Sequence, residues 1–244
     1  MSLGQVRITK EEFDRGTAPD IGNHVLVEVF FSVEGLETKS GVIVGFNTDA
    51  VYAEGTESHA ADLTEVYGRV VRTPKKLAYS RKDPNGMSWK TVVEIEEGDY
   101  VWFNFFISRN CSEVIIGERL LKAIPYEDLF VARKGSMTGE IIPLNGYCLL
   151  EPIPEKAISV FDVLSEHKVD KTKAIVRYIG KPIEEYQTPM NGDMDDVQPG
   201  DLAYFTKGFI PYMLERKQFL AAFDGDVQYY VTQRRRLSLV LRNN

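Results

Sequence analysis

The stretch Gly35-Leu36-Glu37-Thr38-Lys39-Ser40-Gly41-Val42-Ile43-Val44-Gly45-Phe46 places a short apolar tripeptide, Val42-Ile43-Val44, inside a polar, glycine-bearing segment. It follows a run typical of a β-strand, His24 to Phe31, and opens a polar excursion that reaches about Glu65. Polar loops of this kind become ordered on docking into a partner, binding weakly one at a time and strongly in multiples. The alternative is that Ser40 to Phe46 is another β-strand after a turn, because short apolar runs are ambiguous.

Three further stretches follow in a fixed order: Gly68-Arg69-Val70-Val71, Asp83-Pro84-Asn85-Gly86 and Glu97-Gly98-Asp99-Tyr100-Val101-Trp102-Phe103. Asn-Gly between extended segments predicts a hairpin, because both residues accept a positive φ. The segment from Pro125 to Ala132 adds an acidic turn and a strand-like run. This order resembles that of the chaperonin-10 family, the co-chaperonins that cap chaperonin-60 rings.

The resemblance implies a small β-barrel with a projecting roof hairpin and a mobile docking loop. It implies that the loop, from Gly35 to Ala61, contacts a chaperonin-60 ring through its apolar side chains. It also implies a cyclic homo-oligomer, in which the first and closing strands of a unit meet at the subunit contact. The expected partner-binding residues are Leu36, Val42, Ile43, Val44 and Phe46.

The order of motifs divides the chain into three parts: a polar N-terminal arm (1–22), a first barrel (23–134) and a second barrel (135–244). The arm contains Thr9-Lys10-Glu11-Glu12, whose capping-box spacing is compatible with one helical turn. We expect the arm to be either a flexible tail or a contact with a neighbouring subunit. In the first barrel, Tyr100 to Ile107 is almost continuously apolar, as in a strand covered on both faces. The polar segment Lys134 to Gly139 marks the boundary with the second barrel.

The second barrel repeats the motifs of the first, which predicts an internal duplication. We expect Val101 and Ala203, and likewise Phe103 and Phe205, to occupy equivalent core positions. The matched second-half segments are Asn145 to Glu151 for the first strand, Lys173 to Gly180 for the Gly-Arg-Val-Val strand, Pro199 to Phe205 for the Gly-Asp strand, and Asp224 to Val231 for the closing segment.

The second barrel departs from the family pattern where the docking loop belongs. Ile153 to Lys173 lacks the glycine-flanked tripeptide and suits a short helix or strand as well as a docking loop. The roof is reduced to Tyr186 to Asp193. The second barrel is therefore expected to serve as a scaffold, an oligomer interface or a different binding module.

Composition narrows the class of protein. With 244 residues the chain is long enough for one large domain or two ordinary ones. The formal charge of −7 disfavours nucleic-acid binding driven by phosphate contacts. Two cysteines cannot supply a disulfide framework, and no apolar stretch is long enough for a membrane span or a signal peptide. These features predict a soluble cytoplasmic protein without a membrane or nucleic-acid partner.

Two charge clusters are candidate sites. Acidic residues between Glu184 and Asp196 lack the glycine and terminal glutamate spacing of an EF-hand, so a solvated acidic turn is the better interpretation. Arg234-Arg235-Arg236 suits a solvated strand end or a subunit contact. The three histidines are scattered, and the sequence contains no phosphate-binding loop, nucleophile elbow or dinucleotide fingerprint. We therefore expect no enzyme, no metal and no cofactor.

The leading prediction is an all-β protein of two tandem chaperonin-10-like barrels that acts as a co-chaperonin. Tandem co-chaperonins occur in plastids and single-unit versions in bacteriophages. The first alternative is a ring-forming assembly or virion structural protein without a chaperonin partner. A further alternative is a carbohydrate- or peptide-binding β-module.

Overall fold

The chain forms two compact units, Met1–Glu140 and Ile141–Asn244. The sequence placed the boundary between residues 134 and 135. The structure is a computed structural model that describes residues 5–15, 21–33, 36–37, 43–44, 64–80, 86–103, 107, 111–154, 169–183, 196–205, 212–213 and 229–242. Within these residues the fold is all-β: β-strands dominate and there is one short α-helix. No helix in this part of the chain is long and apolar enough to cross a membrane.

The first unit is built from strands in the spatial order β1-β7-β8-β2-β5-β6-β9, together with the separate pair β3-β4. Their bounds are β1 Gln5–Ile8, β2 His24–Val33, β3 Leu36–Glu37, β4 Ile43–Val44, β5 Thr64–Arg72, β6 Tyr100–Phe103, β7 Ser112–Ile116, β8 Arg119–Pro125 and β9 Leu129–Arg133. A 3-10 turn, Tyr126–Asp128, joins β8 to β9.

The central strands of this unit are covered on both faces. Val101, Trp102 and Phe103 are consecutive residues of β6, and all three are buried. Because neighbouring residues of a strand point to opposite sides, this burial means that both sides of β6 are packed. The first part of the apolar run thus lies in the interior, as its composition predicts, while residues 104–106 of that run lie outside the described part of the chain.

The N-terminal segment belongs to the first unit. Strand β1 pairs in parallel with β7, and the helix α1, Lys10–Asp14, follows it. The Thr9 side chain accepts a hydrogen bond from the Glu12 backbone N–H, and the Glu12 carboxylate accepts one from the Thr9 backbone N–H. The capping-box spacing in the sequence therefore does start a helix, and residues that the sequence assigned to a polar arm include an edge strand of the sheet.

The second unit begins with β10, Ile141–Pro143, and contains a six-stranded sheet in the order β14-β15-β11-β12-β13-β16. The strands of that sheet are β11 Tyr147–Pro154, β12 Val169–Ile179, β13 Leu202–Phe205, β14 Tyr212–Met213, β15 Tyr230–Gln233 and β16 Leu237–Leu241. A second 3-10 turn, Arg234–Arg236, joins β15 to β16.

Strand pairing in the two units follows one plan. Each unit has a β-bulge in its first strand pair, between Leu26 and Val27 or between Leu149 and Leu150. Val101 and Ala203 occupy equivalent positions and are both fully buried. Phe103 and Phe205 are also equivalent by register, because Phe103 pairs with Leu129 and Phe205 pairs with Leu237, the first residues of the two closing strands. Three further cross-strand pairs of the first unit have an equivalent in the second. Val27 opposite Val70 corresponds to Leu150 opposite Val176, Gly68 opposite Val101 corresponds to Ala174 opposite Ala203, and Trp102 opposite Val131 corresponds to Tyr204 opposite Leu239.

The closing segment of the second unit was assigned wrongly from the sequence. The 3-10 turn Tyr126–Asp128 corresponds to Arg234–Arg236, and β9 corresponds to β16, because the two pairs have the same register against β6 and β13. The assigned segment began at Asp224, and residues 224–228 lie outside the described part of the chain. The turn therefore carries acidic residues in one unit and arginines in the other.

Candidate functional site

Two residues of the apolar tripeptide, Ile43 and Val44, lie in a small hairpin of their own. Leu36 pairs with Val44 and Glu37 pairs with Ile43 in a two-stranded antiparallel sheet formed by β3 and β4. In the described residues, neither strand pairs with the main sheet of the first unit. The alternative of another β-strand is thus correct for the backbone at Ile43 and Val44, but this strand is not part of the main sheet. Two of the expected contact residues, Val42 and Phe46, lie outside the described residues.

The excursion that carries the hairpin starts and ends on two paired strands. Val33, at the end of β2, pairs with Thr64 at the start of β5. Below this point an aromatic ladder crosses three strands: the ring centroids of Phe30 and Tyr67 are 5.6 Å apart, as are those of Tyr67 and Trp102. Trp102 is fully buried. The ladder stabilises the strands between which the excursion is inserted, because stacked and tilted aromatic pairs add to the stability from burial alone.

A buried aspartate fixes the turn before β6 in the first unit. The Asp99 carboxylate accepts hydrogen bonds from the Glu96 backbone N–H at 2.8 Å and from the Gly135 backbone N–H at 2.9 Å. The Lys134 ammonium lies 3.0 Å from the same carboxylate. Gly98 has φ of +96°, which favours glycine. The Gly-Asp motif thus ties the turn to the residues just after the closing strand.

The second unit repeats this arrangement. The Asp201 carboxylate accepts hydrogen bonds from the Gln198 backbone N–H at 2.9 Å and from Arg242 Nη1 at 2.7 Å. Gly200 has φ of +97°. Arg242, like Lys134, directly follows the closing strand. It also forms an ion pair with Asp196, and this ion pair lowers the pKa of the Asp196 carboxyl. Charged side chains therefore fix the end of both closing strands.

The segment that leads into and out of the expected roof hairpin is anchored on both sides. Asn23 donates to the Ala78 carbonyl at 2.8 Å and accepts from the Ala78 N–H at 2.6 Å. The Met87 N–H donates to the same Ala78 carbonyl at 2.8 Å. The Tyr126 hydroxyl accepts from the Glu94 N–H and donates to the Val92 carbonyl. Residues flanking the Asp83-Pro84-Asn85-Gly86 turn therefore hydrogen-bond to each other, while 81–85 lie outside the described residues.

Burial shifts the pKa of several titratable groups in the described part of the chain. Burial raises the pKa of Asp128 to about 6, with a smaller contribution from the Glu127 charge. Burial also raises the pKa of the Cys111 thiol, which makes it a poor nucleophile. In the described ranges, no group of three or more His, Cys, Asp and Glu side chains could hold a metal ion. The acidic residues 184–195 lie outside those ranges.

The closing strands of the two units differ in exposure. Leu239 and Leu241 of β16 are 50% and 47% exposed, whereas the equivalent residues of β9, Val131 and Arg133, are 0% and 5% exposed. Strand β16 is the last strand in the order of its sheet. An apolar edge strand is a template for pairing with another chain. The sequence analysis predicts no such edge, because it assigns the closing segment to Asp224 to Val231 and not to β16.

The arginine cluster is partly a structural element. Arg234 is buried, and its Nη1 donates a hydrogen bond of 2.8 Å to the Gly180 carbonyl. The interpretation of a solvated strand end is therefore wrong for Arg234, because its guanidinium binds a carbonyl in the interior. Arg236, in contrast, is exposed.

A scan against protein-family models matches no family, and a search of curated proteins finds no match to the chain.

Proposed function

We propose that the chain is a co-chaperonin-like subunit built from two tandem chaperonin-10-like barrels. In this proposal the excursion from Gly35 to Ala61 docks on a chaperonin-60 ring through Leu36, Val42, Ile43, Val44 and Phe46. The subunit acts without catalysis, metal or cofactor, and it assists protein folding in the cytoplasm as part of a cyclic homo-oligomer.

The observation that carries this proposal is the position of the tripeptide in the fold. Ile43 and Val44 belong to a two-stranded hairpin that, within the described residues, is separate from the main sheet. Its excursion spans 30 residues between the paired ends Val33 and Thr64. A hairpin on a long connection presents an apolar strand to a partner without disturbing the barrel that carries it, as β-strand and groove recognition require.

Multiple copies supply the affinity. A single short loop that orders on binding contributes little, because the ordering entropy opposes the contact energy. Several loops on one ring raise the effective concentration of each remaining loop after the first has bound. The proposal therefore requires an oligomer, and the apolar edge of β16, with Leu239 and Leu241, supports one.

A second candidate function rests on that same edge. A ring-forming assembly or virion structural protein needs an edge that pairs with a neighbouring copy, and it needs no docking hairpin. The half-exposed leucines of β16 favour this function as strongly as they favour the oligomer of a co-chaperonin. Binding to a chaperonin ring separates the two candidates.

The test is size analysis of the intact protein with and without a chaperonin-60 ring and nucleotide. The co-chaperonin function predicts that the protein comigrates with the ring when nucleotide is present. An oligomer that never comigrates with the ring supports the structural function. A monomer at micromolar concentration contradicts both candidates.

A further inference from the structure

The two exposed leucines of β16 lie on one face of the strand, next to other apolar residues. Leu239 pairs with Tyr204, and Leu241 pairs with Leu202, on the neighbouring strand β13. The residue between them, Val240, packs against the buried core cluster of the second unit. Because neighbouring residues of a strand point to opposite sides, Leu239 and Leu241 point away from that core. This strand therefore carries apolar side chains on both of its faces.

The backbone of β16 has one open side: in the described part of the chain, β13 is the one strand that pairs with it. Charged side chains and proline protect the edge of a sheet against pairing with another chain, whereas an apolar edge promotes such pairing. The strand, Leu237-Ser238-Leu239-Val240-Leu241, contains neither a charged residue nor a proline. It is therefore a suitable template for a strand from another molecule.

The strand that matches this edge best is a second β16. When two copies of β16 pair antiparallel about Val240, Leu239 of each copy lies opposite Leu241 of the other. The four half-exposed leucines then form one continuous apolar row, and the two Val240 residues lie opposite each other on the core side. Such a contact is isologous, because each copy contributes the same surface.

Charges at the two ends of β16 favour the same antiparallel arrangement. At the C-terminal end Arg242 forms ion pairs with Asp196 and Asp201, and these three side chains together carry a net negative charge. At the N-terminal end Arg236 is exposed. An antiparallel pair brings the basic end of one copy to the acidic end of the other, and opposite charges across such a contact are favourable.

Strand β1, which lies at an edge of the sheet in the first unit, matches β16 less well. Its Val6 and Arg7 are exposed, whereas its Ile8 packs against a core cluster of its own unit. Pairing with β1 would thus bring one exposed apolar side chain and one charge to the leucines of β16. Pairing with a second β16 brings two leucines and no charge within the strand.

We propose that β16 of one copy pairs antiparallel with β16 of a second copy. This inference rests on the oligomer of the proposed function and identifies one of its contacts, but it does not require a chaperonin partner. An isologous contact closes between two copies. The cyclic assembly of the proposed function therefore needs a further, head-to-tail contact.

Single cysteines test the pairing and its register. A mixture of Leu239→Cys and Leu241→Cys in a glutathione redox buffer should form a disulfide between two chains, because opposite Cβ atoms of an antiparallel pair lie about 4.5–5.5 Å apart. A size tag on one variant separates the mixed dimer on a non-reducing gel. Leu239→Cys mixed with Val6→Cys should form no mixed dimer. The parent is the background control, since its Cys111 and Cys148 are buried.

Sedimentation equilibrium measures the strength of the contact. The series should extend to about 300 μM protein, because two short strands form a contact at the small end of specific interfaces. Leu239→Lys/Leu241→Lys should weaken self-association by about 10-fold or more, since lysines that face each other across a strand pair repel. The matched control is Val6→Lys/Leu120→Lys, which makes the same charge change at two positions of the first unit that are 44% and 50% exposed. This control should associate like the parent, and circular dichroism establishes that each variant is folded.

Three results would overturn the inference: a parent that is monomeric at every concentration, a β16 lysine variant that associates like the parent, or a disulfide from Leu239→Cys to Val6→Cys and none to Leu241→Cys. The last result would assign the edge to β1. A β16 disulfide in a protein that never comigrates with a chaperonin ring removes the co-chaperonin function alone. A protein that comigrates with the ring but forms no β16 disulfide removes this inference alone.

Discussion

Replacing Asp99 by asparagine tests the turn before β6, which hydrogen bonds and an ion pair link to the residues after the closing strand. The carboxylate uses both oxygens to accept from the Glu96 and Gly135 N–H groups and also pairs with Lys134. An amide of the same size has one acceptor oxygen, so one of these N–H groups then faces an NH₂ group. An unsatisfied buried N–H costs about 1–3 kcal/mol, and loss of the partly exposed Lys134 pair adds about 1 kcal/mol. We expect Asp99→Asn to lower the free energy of unfolding by about 2–4 kcal/mol.

Urea denaturation followed by tryptophan fluorescence measures this loss. Both tryptophans of the chain, Trp89 and Trp102, are buried in the first unit, so the signal reports on that unit. With a slope of about 2 kcal/mol per molar urea, the midpoint should fall by about 1–2 M. Glu96→Gln is the matched control, because its exposed carboxylate lies 4.0 Å from the same Lys134 ammonium. We expect that control to shift the midpoint by less than about 0.3 M. Equal shifts for Asp99→Asn and Glu96→Gln would refute the reasoning.

Two further predictions concern single positions in the first unit. A Cβ on Gly68 would lie 2.2 Å from Val27 Cγ1, so Gly68→Ala should lower the melting temperature severely. Ala174→Gly at the equivalent position of the second unit should lower the free energy of unfolding by only about 1 kcal/mol. Equal losses for the two variants in thermal denaturation would contradict this. Burial raises the pKa of Asp128 to about 6, so its contribution to stability is present below its ordinary value of 3.8 and is lost as the pH rises through 6. Asp128→Asn should therefore melt above the parent at pH 7 and close to it at pH 4, and a difference that does not change with pH would count against the burial of that carboxyl.

The internal repeat could be predicted because its motifs have backbone causes. A glycine with φ near +96° followed by an aspartate that caps its own turn leaves a short signature, Gly98-Asp99 and Gly200-Asp201. The apolar residues that follow this signature then predict the strands β6 and β13. Matching Asn23 with Asn145 by residue type is one residue out: Asn23 corresponds to Gly146, since their carbonyls accept from the equivalent Tyr126 and Arg234 N–H groups, and Gly22 corresponds to Asn145, both with a positive φ. Asparagine accepts this conformation more readily than most residues, so it can replace glycine there.

The closing strand of the second unit could not be predicted in the same way. The turn before the closing strand of the first unit contains Glu127 and Asp128, and the acidic residue Asp224 resembles it in sequence. The 3-10 turn at that place requires backbone geometry and not negative charge, and Arg234–Arg236 forms it equally well. Pairing of β1 with β7 was also missed, because a four-residue strand carries too little pattern to identify a partner more than 100 residues away.

The basic side chains that pair with the two buried aspartates could not be predicted from the sequence, for a different reason. Lys134 and Arg242 follow the closing strands at positions where a basic residue is common on any surface. Only the folded backbone brings each of them to the buried carboxylate that precedes β6 or β13. The sequence could therefore identify the Gly-Asp turns but not the side chains that tie them down.

The most direct test of the proposed function is Ile43→Asp, with chaperonin-ring affinity and melting temperature measured on the same preparation. In this account Ile43 lies on a hairpin separate from the main sheet, so the charge should change the melting temperature by no more than about 2 °C. Affinity for the chaperonin-60 ring should fall to background, because the loss in each loop is multiplied over all copies in the oligomer. A large fall in melting temperature would show that Ile43 is a core residue, and a parent protein that does not bind the ring would contradict the co-chaperonin function itself.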